Sequence, residues 1–298
     1  MSKRTLAILA ALGATTIYGV NHTIAKGVMP TYVESFGFIF LRVTGAALLF
    51  WLISFWGPKE KIEKRDWLRI LVCSILGMVI NMLSFFKGLQ LSTPINSSVL
   101  VTISPIIVVI MSAFLLKERI TLNKGLGVFL GFVGAIGLIM FGAEVRQDAP
   151  NIPLGNFLFV VNATSYGAYL IVVKKLIEKY HPFTLMKWLF TIAVIINLPL
   201  TWHEVVEIEW STIPLWALGS IAFVVIGTTF LTYLFNAYAL MQVKASTIGA
   251  FMYVQPLVGI IFAILTGKDH LTLIKVVATS FVLIGVYLAS KKPKPRIS

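Results

Sequence analysis

Long apolar runs separated by short polar segments dominate the pattern of hydrophobic and polar positions along the chain. Each run is continuous rather than alternating, and each is about twice as long as the roughly ten residues of a membrane-spanning barrel strand. Because backbone polar groups in lipid must be paired within the protein, runs of this kind are predicted to be helices. The pattern therefore predicts an all-α polytopic membrane protein with ten transmembrane helices. The runs fall at residues 5–28, 33–56, 67–89, 93–116, 123–143, 154–178, 183–203, 212–240, 245–267 and 271–290.

Composition supports a membrane protein and argues against a soluble one. The chain is 58% hydrophobic and 12% charged, with a mean hydropathy of +0.89. A soluble domain has about twice that charged fraction, and a soluble chain this apolar would expose large patches that aggregate. The first run continues to Val28 without a clear small-residue cleavage site, so it is predicted to be a span rather than a signal peptide.

Basic residues are concentrated at alternate ends of the apolar runs. With the N-terminus placed in the cytoplasm, nineteen of the 25 Lys and Arg residues lie at cytoplasmic ends, four lie at outer ends, and Arg42 and Lys87 lie within runs. The positive-inside rule therefore predicts that both termini are cytoplasmic. Because the charge follows membrane topology, the net charge of +13 does not indicate nucleic-acid binding. We expect a multi-pass protein surrounded by the lipid bilayer of the cell inner, or plasma, membrane.

The chain also contains a weak internal repeat. A shift of 151 residues sets Pro105 on Pro256, and a shift of 148 sets Tyr18 on Tyr166. Each unit holds five helices, an odd number, so the second unit is expected to enter the membrane inverted. Inverted repeats are typical of transporters, although an old duplication that only built a stable bundle is the alternative. The predicted units are a first five-helix repeat at 1–143, a periplasmic connecting loop at 144–153, a second five-helix repeat at 154–290 and a basic cytoplasmic tail at 291–298.

Several motifs along the chain form a recognisable set. They are Tyr18-Gly19-Val20-Asn21, Arg42, Ser104-Pro105, Leu116-Lys117-Glu118-Arg119, and the glycines Gly127, Gly131, Gly134 and Gly137. This set resembles the EamA family of the drug/metabolite transporter superfamily, with a departure in the second half, where Asp269 stands in place of the glutamate. The resemblance implies a ten-helix bacterial exporter whose relatives transport amino acids, other metabolites or drugs.

Two prolines lie near the middle of their runs. Pro105 and Pro256 each remove a helix hydrogen bond and leave a carbonyl free. Their paired placement predicts a hinge, or a broken backbone facing the cavity. A static kink that aids packing is the alternative.

Arg42 is the deepest fixed charge in the predicted spans. An unpaired charge at that depth is unfavourable, so we expect it to face the bundle interior or water. Two roles are open: an anchor for a carboxylate or other anion, and a structural arginine capped by backbone carbonyls. All twelve acidic residues lie in loops or at the ends of runs. The expected cavity is therefore electropositive or neutral, which favours anionic, zwitterionic or neutral organic substrates over cationic drugs.

Other polar and aromatic side chains on the runs are candidates to line a substrate cavity. Besides Arg42 they are His22, Asn21, Tyr18, Lys87, Asn81, Tyr166, Trp188, Asn236, Tyr238 and Tyr253, with Asn96, Asn162, Ser165, Tyr169 and Thr232 as further members of the same set. For Lys26 and Lys87 the default is snorkelling toward the outer surface; for most of the others the alternative is hydrogen bonding between helices. The glycines 127, 131 and 134 have no strand before them, so they are predicted to serve helix packing rather than nucleotide binding.

Together these patterns predict a transporter that exports small organic metabolites by alternating access, either amino acids or similar zwitterionic, anionic or neutral compounds. An exchanger or facilitator in the same fold and multidrug efflux remain open alternatives. An intramembrane enzyme is disfavoured because the chain has no HExxH, no GxSxG and no paired intramembrane aspartates, and a receptor is disfavoured because no signalling domain is apparent. The lone Cys73 forms neither an internal disulfide nor a thiolate metal site. We expect no catalytic residue, no metal and no cofactor, and a monomer or weak homodimer.

Overall fold

The computed structural model describes residues 2–115, 122–141, 147–242 and 254–290. Within these ranges the secondary structure consists of ten helices and contains no strand. The prediction of an all-α protein with ten helices is therefore confirmed. The helices are α1 Lys3–Val28, α2 Ser35–Ser54, α3 Lys64–Leu91, α4 94–115, α5 Leu122–Phe141, α6 Ile152–Ile177, α7 Pro182–Val206, α8 215–242, α9 Val254–Leu265 and α10 Leu273–Ser290.

The length and the surface of the helices match a lipid environment. Eight of them, α1 to α8, are long and apolar enough to cross a membrane, and α9 and α10 are apolar but shorter over their described residues. Large apolar side chains such as Phe129, Ile136 and Leu273 are more than half exposed on the outside of the bundle. In water such a surface would aggregate, whereas in a bilayer it contacts lipid tails. The chain is thus a multi-pass membrane protein.

Local capping chemistry sets several helix ends. α4 begins at Pro94, and the Thr93 side chain accepts a hydrogen bond from the Asn96 amide in its first turn. α6 follows Asn151, whose side chain caps that helix in the same way. A polar cap followed by an early proline is favourable because the first amides of a helix have no helical partner. α9 ends shortly before Gly267, whose φ of 64° belongs to the left-handed region that glycine adopts readily.

Three helices change their hydrogen-bond pattern along their length. The segment Ile75–Ile80 of α3 and the segment Phe223–Leu231 of α8 are π-helical, and the two are counterparts under the 148-residue shift. In α4 the 3-10 turn Val101–Ile103 directly precedes Ser104–Leu115, whose second residue is Pro105. Because proline has no amide hydrogen to donate, the helix changes its pattern at this residue. Such irregular segments are frequent at functional sites.

The helices pack in pairs that relate the two halves of the chain. α2 packs on α7, α5 on α10 and α4 on α9. α3 packs on α6 and α1 on α8, while α6 contacts α4 and α1 contacts α9. Changing every helix number by five converts each of these contacts into another of the same set. The contact pattern therefore has two-fold symmetry.

Counterpart helices run in opposite directions where they meet. At the contact of α5 with α10, Gly134 approaches Val282, and Gly131, which comes earlier in α5, approaches Gly285, which comes later in α10. The same reversal of order holds where α2 meets α7. These helix pairs are therefore antiparallel.

The contact of α5 with α10 depends on glycine. A Cβ on Gly134 would lie 2.6 Å from the carbonyl oxygen of Ala278, and a Cβ on Gly285 would lie 2.5 Å from the amide nitrogen of Gly131. Gly127 contributes its carbonyl oxygen to the same contact, 2.7 Å from the position of that second Cβ. Backbone atoms cannot rotate away as a flexible side chain does, so the helices approach this closely only without side chains. Gly127, Gly131 and Gly134 all lie at this contact.

We expect Gly285→Ala to lower the thermal stability of the purified protein. The added methyl group meets the backbone of α5, and overpacking of this kind typically costs about 1 to 3 kcal/mol. The matched control is Gly219→Ala, because a Cβ on Gly219 meets nothing within 4 Å. The measurement is the midpoint of thermal denaturation in detergent, and an equal midpoint for the two variants would contradict the packing argument.

Candidate functional site

Four tyrosines from three helices gather inside the bundle. Tyr18 of α1 interacts electrostatically with Tyr166 and Tyr169 of α6. All three of these tyrosines also interact electrostatically with Tyr233 of α8. The rings of Tyr166 and Tyr169 stack with their centroids 5.7 Å apart. Tyr18 and Tyr166 correspond to each other under the 148-residue shift, so corresponding positions of the two halves lie in the same region of the bundle.

Arg42 of α2 lies beside these tyrosines. Its Nε donates a hydrogen bond to Oγ1 of Thr229 at 2.9 Å, and its guanidinium carbon lies 5.3 Å from the centroid of the Phe86 ring. The guanidinium is also within electrostatic range of Tyr18 and Tyr233. Only 7% of the residue is exposed, so Arg42 faces the bundle interior. We name Arg42 and the tyrosines at 18, 166, 169 and 233 the central cluster.

The π-helical segment of α8 places the acceptor for Arg42. Thr229 is fully buried in that segment, and its hydroxyl donates to the carbonyl oxygen of Val224, five residues earlier, at 3.2 Å. A hydroxyl has one hydrogen, so the lone pairs of Oγ1 remain available to accept from Arg42. The irregular segment thus fixes the orientation of the guanidinium.

Apart from Nε of Arg42, the polar groups of the central cluster have no hydrogen-bond partner among the residues that the structure describes. Across the described ranges, neither terminal nitrogen of Arg42 and none of the four tyrosine hydroxyls has a hydrogen-bond partner, and no carboxylate pairs with Arg42. None of these atoms is among the fully enclosed polar atoms of the described residues. Tyr166 and Tyr233 lie deep in the bundle, yet both keep accessible surface. The cluster therefore borders an internal space lined by hydrogen-bond donors and one positive charge.

Aromatic rings pack next to the central cluster. We name the rings of Phe50 and Phe190, together with that of Tyr233, the aromatic wall. The ring of Tyr233 lies edge-on to Phe50 at 5.9 Å and to Phe190 at 6.2 Å, and these two phenylalanines stack at 5.5 Å. The rings come from α2, α7 and α8, so the wall joins helices of both halves. It supplies a rigid apolar surface beside the charge of Arg42.

Asn81 ties α3 to α6. Its Nδ2 donates to the carbonyl oxygen of Asn162 at 3.2 Å, and Asn162 donates back to the carbonyl oxygen of Asn81 at 2.8 Å. Ser165 donates to the carbonyl oxygen of Leu76, inside the π-helical segment of α3, at 2.6 Å. These side chains therefore satisfy carbonyls at and next to the irregular part of α3, which is the interhelical hydrogen bonding that was open for such residues.

The side chains of Asn21 and His22 form hydrogen bonds with residues of neighbouring helices. Nδ1 of His22 lies 2.8 Å from Oγ of Ser97, which donates its hydrogen to the carbonyl oxygen of Pro94 at 2.9 Å. The hydrogen between His22 and Ser97 therefore belongs to the imidazole. Asn21 accepts a hydrogen bond from the hydroxyl of Thr228 at 3.0 Å. These bonds connect α1 to α4 and α8.

Buried polar contacts join the helices at the end where α1 finishes and α2 begins. Asp269 and Lys275 form an ion pair of 3.0 Å with both side chains fully buried, and Asp269 also accepts from the amide of Ile95 at the start of α4. Lys26 donates to two carbonyl oxygens at the end of α3, at 2.8 Å each. The expectation that Lys26 snorkels is wrong, because these carbonyls lack helical partners and hold the ammonium inside the protein.

Lys87 and Trp188 pack against residues other than those of the central cluster. Lys87 is half-buried, donates to the side chain of Gln90 at 3.0 Å and lies 5.7 Å from the centroid of Phe36. Trp188 lies edge-on to Trp51 at 5.5 Å and to a tryptophan at the start of α3 at 4.9 Å. Tryptophans near helix ends are typical of the membrane interface.

The remaining candidates are less closely defined. Asn236 and Tyr238 are half-buried in the last part of α8. Tyr253 lies outside the described residues, as does Glu118 of the family-like motif. Pro105 is half-buried after its 3-10 turn, and Pro256 is buried as the third residue of α9. The hinge role of these prolines remains a prediction.

Ion pairs at one end of the bundle join the start of α3 and the connection before it to the connection after α6. The ammonium of Lys179 lies 2.6 Å from carboxylate oxygens of both Glu63 and Asp66, and the hydroxyl of Tyr180 donates to Asp66 at 2.7 Å. The hydrogen bond from Lys179 lowers the pKa of Glu63, and the same carboxylates, Asp66 first, raise the pKa of Lys179. These contacts hold the two connections together.

Sequence reasoning found part of the central cluster. Arg42, Tyr18 and Tyr166 were candidates because of their charge, their depth and their place in the repeat, and Tyr169 belonged to the wider set. Tyr233 and Thr229 were missed. The one available signal for Thr229 was its position 148 residues after Asn81, a polar residue within the counterpart helix.

Comparison with known proteins gives one family for the whole chain. The model of the EamA-like transporter family matches residues 5–140 and 153–291. The chain is 22% identical over 280 residues to YyaM, an uncharacterized transporter of Bacillus subtilis (strain 168), covering 94% of this chain and 92% of that protein. It is 28% identical over 252 residues to an uncharacterized transporter of Archaeoglobus fulgidus, covering 85% and 87% of the two chains.

A solved structure has the same fold. A crystal structure of another protein superposes on this chain with a TM-score of 0.64 at 15% sequence identity, covering 95% of this chain and 98% of the other. At that identity the likeness concerns the fold alone. The family match extends over both halves and includes the helices that carry the central cluster. The chain belongs to the EamA-like transporter family.

Proposed function

We propose that this protein exports small organic metabolites across the cell inner membrane by alternating access. The observation that carries the proposal is the central cluster, in which the buried charge of Arg42 has no carboxylate partner among the described residues and borders an internal space. A charge at that depth is unfavourable unless water or a ligand attends it. Membership of a transporter family accounts for the bundle, and the cluster gives the bundle a place for a ligand.

We further propose that the bundle consists of two inverted five-helix repeats, at 1–143 and 154–290. Three observations support this. The helix contacts have two-fold symmetry, α5 and α10 are antiparallel, and the two π-helical segments occupy counterpart positions. Transporters built in this way bind their substrates near the bilayer midplane, between the repeats. The electrostatic interaction between Tyr18 and Tyr166, one from each half, supports a site between the repeats.

Alternating access in this bundle relies on bending of α4 and α9. α4 departs from α-helical geometry just before Pro105, α9 carries Pro256, and the two helices touch where Gly259 meets Ser98. With the N-terminus in the cytoplasm, the end that carries the Asp269–Lys275 pair is the outer one. We propose that this buried pair helps to close the outer end in the described state.

The topology predicts where reporters are active. A reporter fused after Ser298 is expected to be active in the cytoplasm, and one inserted near Pro150 is expected to be exposed outside, because most of the basic residues lie at the ends assigned to the cytoplasm. Paired cytoplasmic and periplasmic reporter assays make the measurement. An external C-terminus would overturn the topology together with the inverted-repeat proposal.

The proline pair predicts a selective loss of transport. Pro105→Ala and Pro256→Ala are each expected to lower the transport rate severalfold while insertion and thermal stability are retained, because a regular helix bends less readily. Pro199→Ala is the matched control, since this proline lies inside α7, which continues as one helix through it. The measurement is the rate in proteoliposomes. Wild-type rates in both hinge variants would show that these prolines serve packing only.

Arg42 predicts a charge-dependent loss of binding. Arg42→Ala is expected to weaken the binding of anionic substrates at least tenfold and to spare neutral analogues, because the guanidinium offers a planar fork for a carboxylate. Arg42→Lys keeps the charge without the fork and is expected to recover only part of the affinity. Equal losses for charged and neutral substrates would assign Arg42 a structural role.

Thr229 supplies a matched test of the same site. Thr229→Ser keeps the hydroxyl that accepts from Arg42, whereas Thr229→Val keeps the shape and removes the acceptor. Only the valine variant is expected to share the charge-dependent loss of Arg42→Ala. Binding by the purified protein is the measurement, with monodispersity as the check on folding. Counterflow of labelled substrate in proteoliposomes then separates an exporter from an exchanger.

A further inference from the structure

The groups that the central cluster offers to a ligand are a positive charge and hydroxyls, both of which suit an anion. Arg42 contributes a fixed positive charge, and the four tyrosines contribute phenolic hydroxyls that have no partner within the described ranges. No described acidic residue lies in the middle part of a helix. The described acidic residues all lie at helix ends or in connections. They are Glu34, Glu60, Glu63, Asp66, Asp148, Glu178, Glu204, Glu207, Glu209 and Asp269. The cluster therefore lacks a counter-charge for a cationic group among these residues.

An amino acid fits such a site poorly. Its ammonium group and its carboxylate share one carbon atom, so a carboxylate bound to Arg42 brings the ammonium into the same enclosed space. There the two positive charges repel each other, and the repulsion is stronger than in water because the effective dielectric constant is lower. The ammonium also loses its hydration without gaining a carboxylate in exchange. A carboxylate without an amino group meets neither difficulty.

The orientation of Arg42 favours a carboxylate as the anion. Thr229 occupies Nε and the ring of Phe86 lies against the guanidinium, which leaves the two terminal nitrogens as the open edge. These two nitrogens match the two oxygens of a carboxylate in a bidentate pair. Tyr18 and Tyr233 lie within electrostatic range of the same guanidinium. Their hydroxyls are further hydrogen-bond donors near the same guanidinium.

The remaining surface of the site is aromatic. Tyr166 and Tyr169 present stacked rings, and Tyr233 continues into the wall formed by Phe50 and Phe190. Rings of this kind pack well against flat apolar groups, in offset-stacked or edge-on geometry. A puckered or branched ligand of the same size makes fewer such contacts.

We propose that the central cluster binds organic monocarboxylates with a planar apolar body and discriminates against amino acids. This proposal rests on the proposed transport function, of which it names the substrate class. The carboxylate lies on the open edge of Arg42, and the planar body lies between the rings of Tyr166 and Tyr233.

The test is equilibrium binding of four small probes to the full-length purified protein in detergent. Benzoate carries the charge and the planar ring, phenylalanine adds the ammonium group, benzyl alcohol removes the charge, and cyclohexanecarboxylate removes the planarity. Benzoate is expected to bind at least tenfold more tightly than phenylalanine or benzyl alcohol, and severalfold more tightly than cyclohexanecarboxylate. Isothermal titration calorimetry gives the four dissociation constants.

Two variants connect the affinities to named side chains. Arg42→Gln is expected to abolish the preference for benzoate over benzyl alcohol, because the amide keeps a donor and loses the charge. Tyr166→Phe removes one hydroxyl and keeps the ring, so it is expected to weaken benzoate binding severalfold. Tyr32→Phe is the matched control, since Tyr32 lies between α1 and α2 and packs on Trp216. Monodispersity and the thermal midpoint verify folding in each case.

The outcomes separate the substrate class from the transport site. Binding of phenylalanine as tight as that of benzoate would overturn the proposed class and leave Arg42 as the anion site. Equal binding of benzoate and cyclohexanecarboxylate would overturn the role of the aromatic wall. Failure of both benzoate and phenylalanine to bind the folded wild-type protein would overturn the class and the Arg42 site together.

Discussion

Arg42 carries a full positive charge inside a bundle whose outer surface is apolar and faces lipid. A charge in such surroundings is stable only if the protein supplies groups that solvate it. The provision here is specific: a hydroxyl for Nε, an aromatic face for the guanidinium plane, and an internal space for the open edge. The hydroxyl comes from α8, the aromatic face from α3, and the tyrosines around the open edge from α1, α6 and α8. The arrangement of half the bundle is therefore tied to the solvation of one side chain.

The same requirement explains the irregular part of α8. A regular α-helix places the hydroxyl of a threonine against the carbonyl three or four residues earlier, whereas Thr229 bonds to Val224, five residues earlier. The wider π-helical turn thus presents Oγ1 to α2. Its counterpart in α3 exposes carbonyls that Ser165 and Asn162 satisfy from α6. The two π-helical segments thus lie at counterpart positions, and different side chains accommodate each of them.

The sequence predicts the helices well because continuous hydropathy depends on the chain alone. It also locates Arg42, since a charge in an apolar run has few possible surroundings. Tyr233 could not be recognised, because an aromatic residue in an apolar run has the same pattern whether it faces lipid, a neighbour or an internal space. Thr229 and the π-helical segments depend on contacts between helices distant in sequence. Lys26 was misjudged because its partners are carbonyls at the end of another helix, which no pattern of residue types reveals.

The contacts between the helices have two-fold symmetry, but the distribution of charge in the site does not. Under the 148-residue shift the counterpart of Arg42 is Phe190, a member of the aromatic wall. A symmetric frame would accept a ligand equally well in two opposed orientations. With a guanidinium on one side and a phenyl ring on the other, one of those orientations is lost. In the proposed inverted repeat, a molecule bound through Arg42 therefore keeps a single polarity relative to the membrane normal.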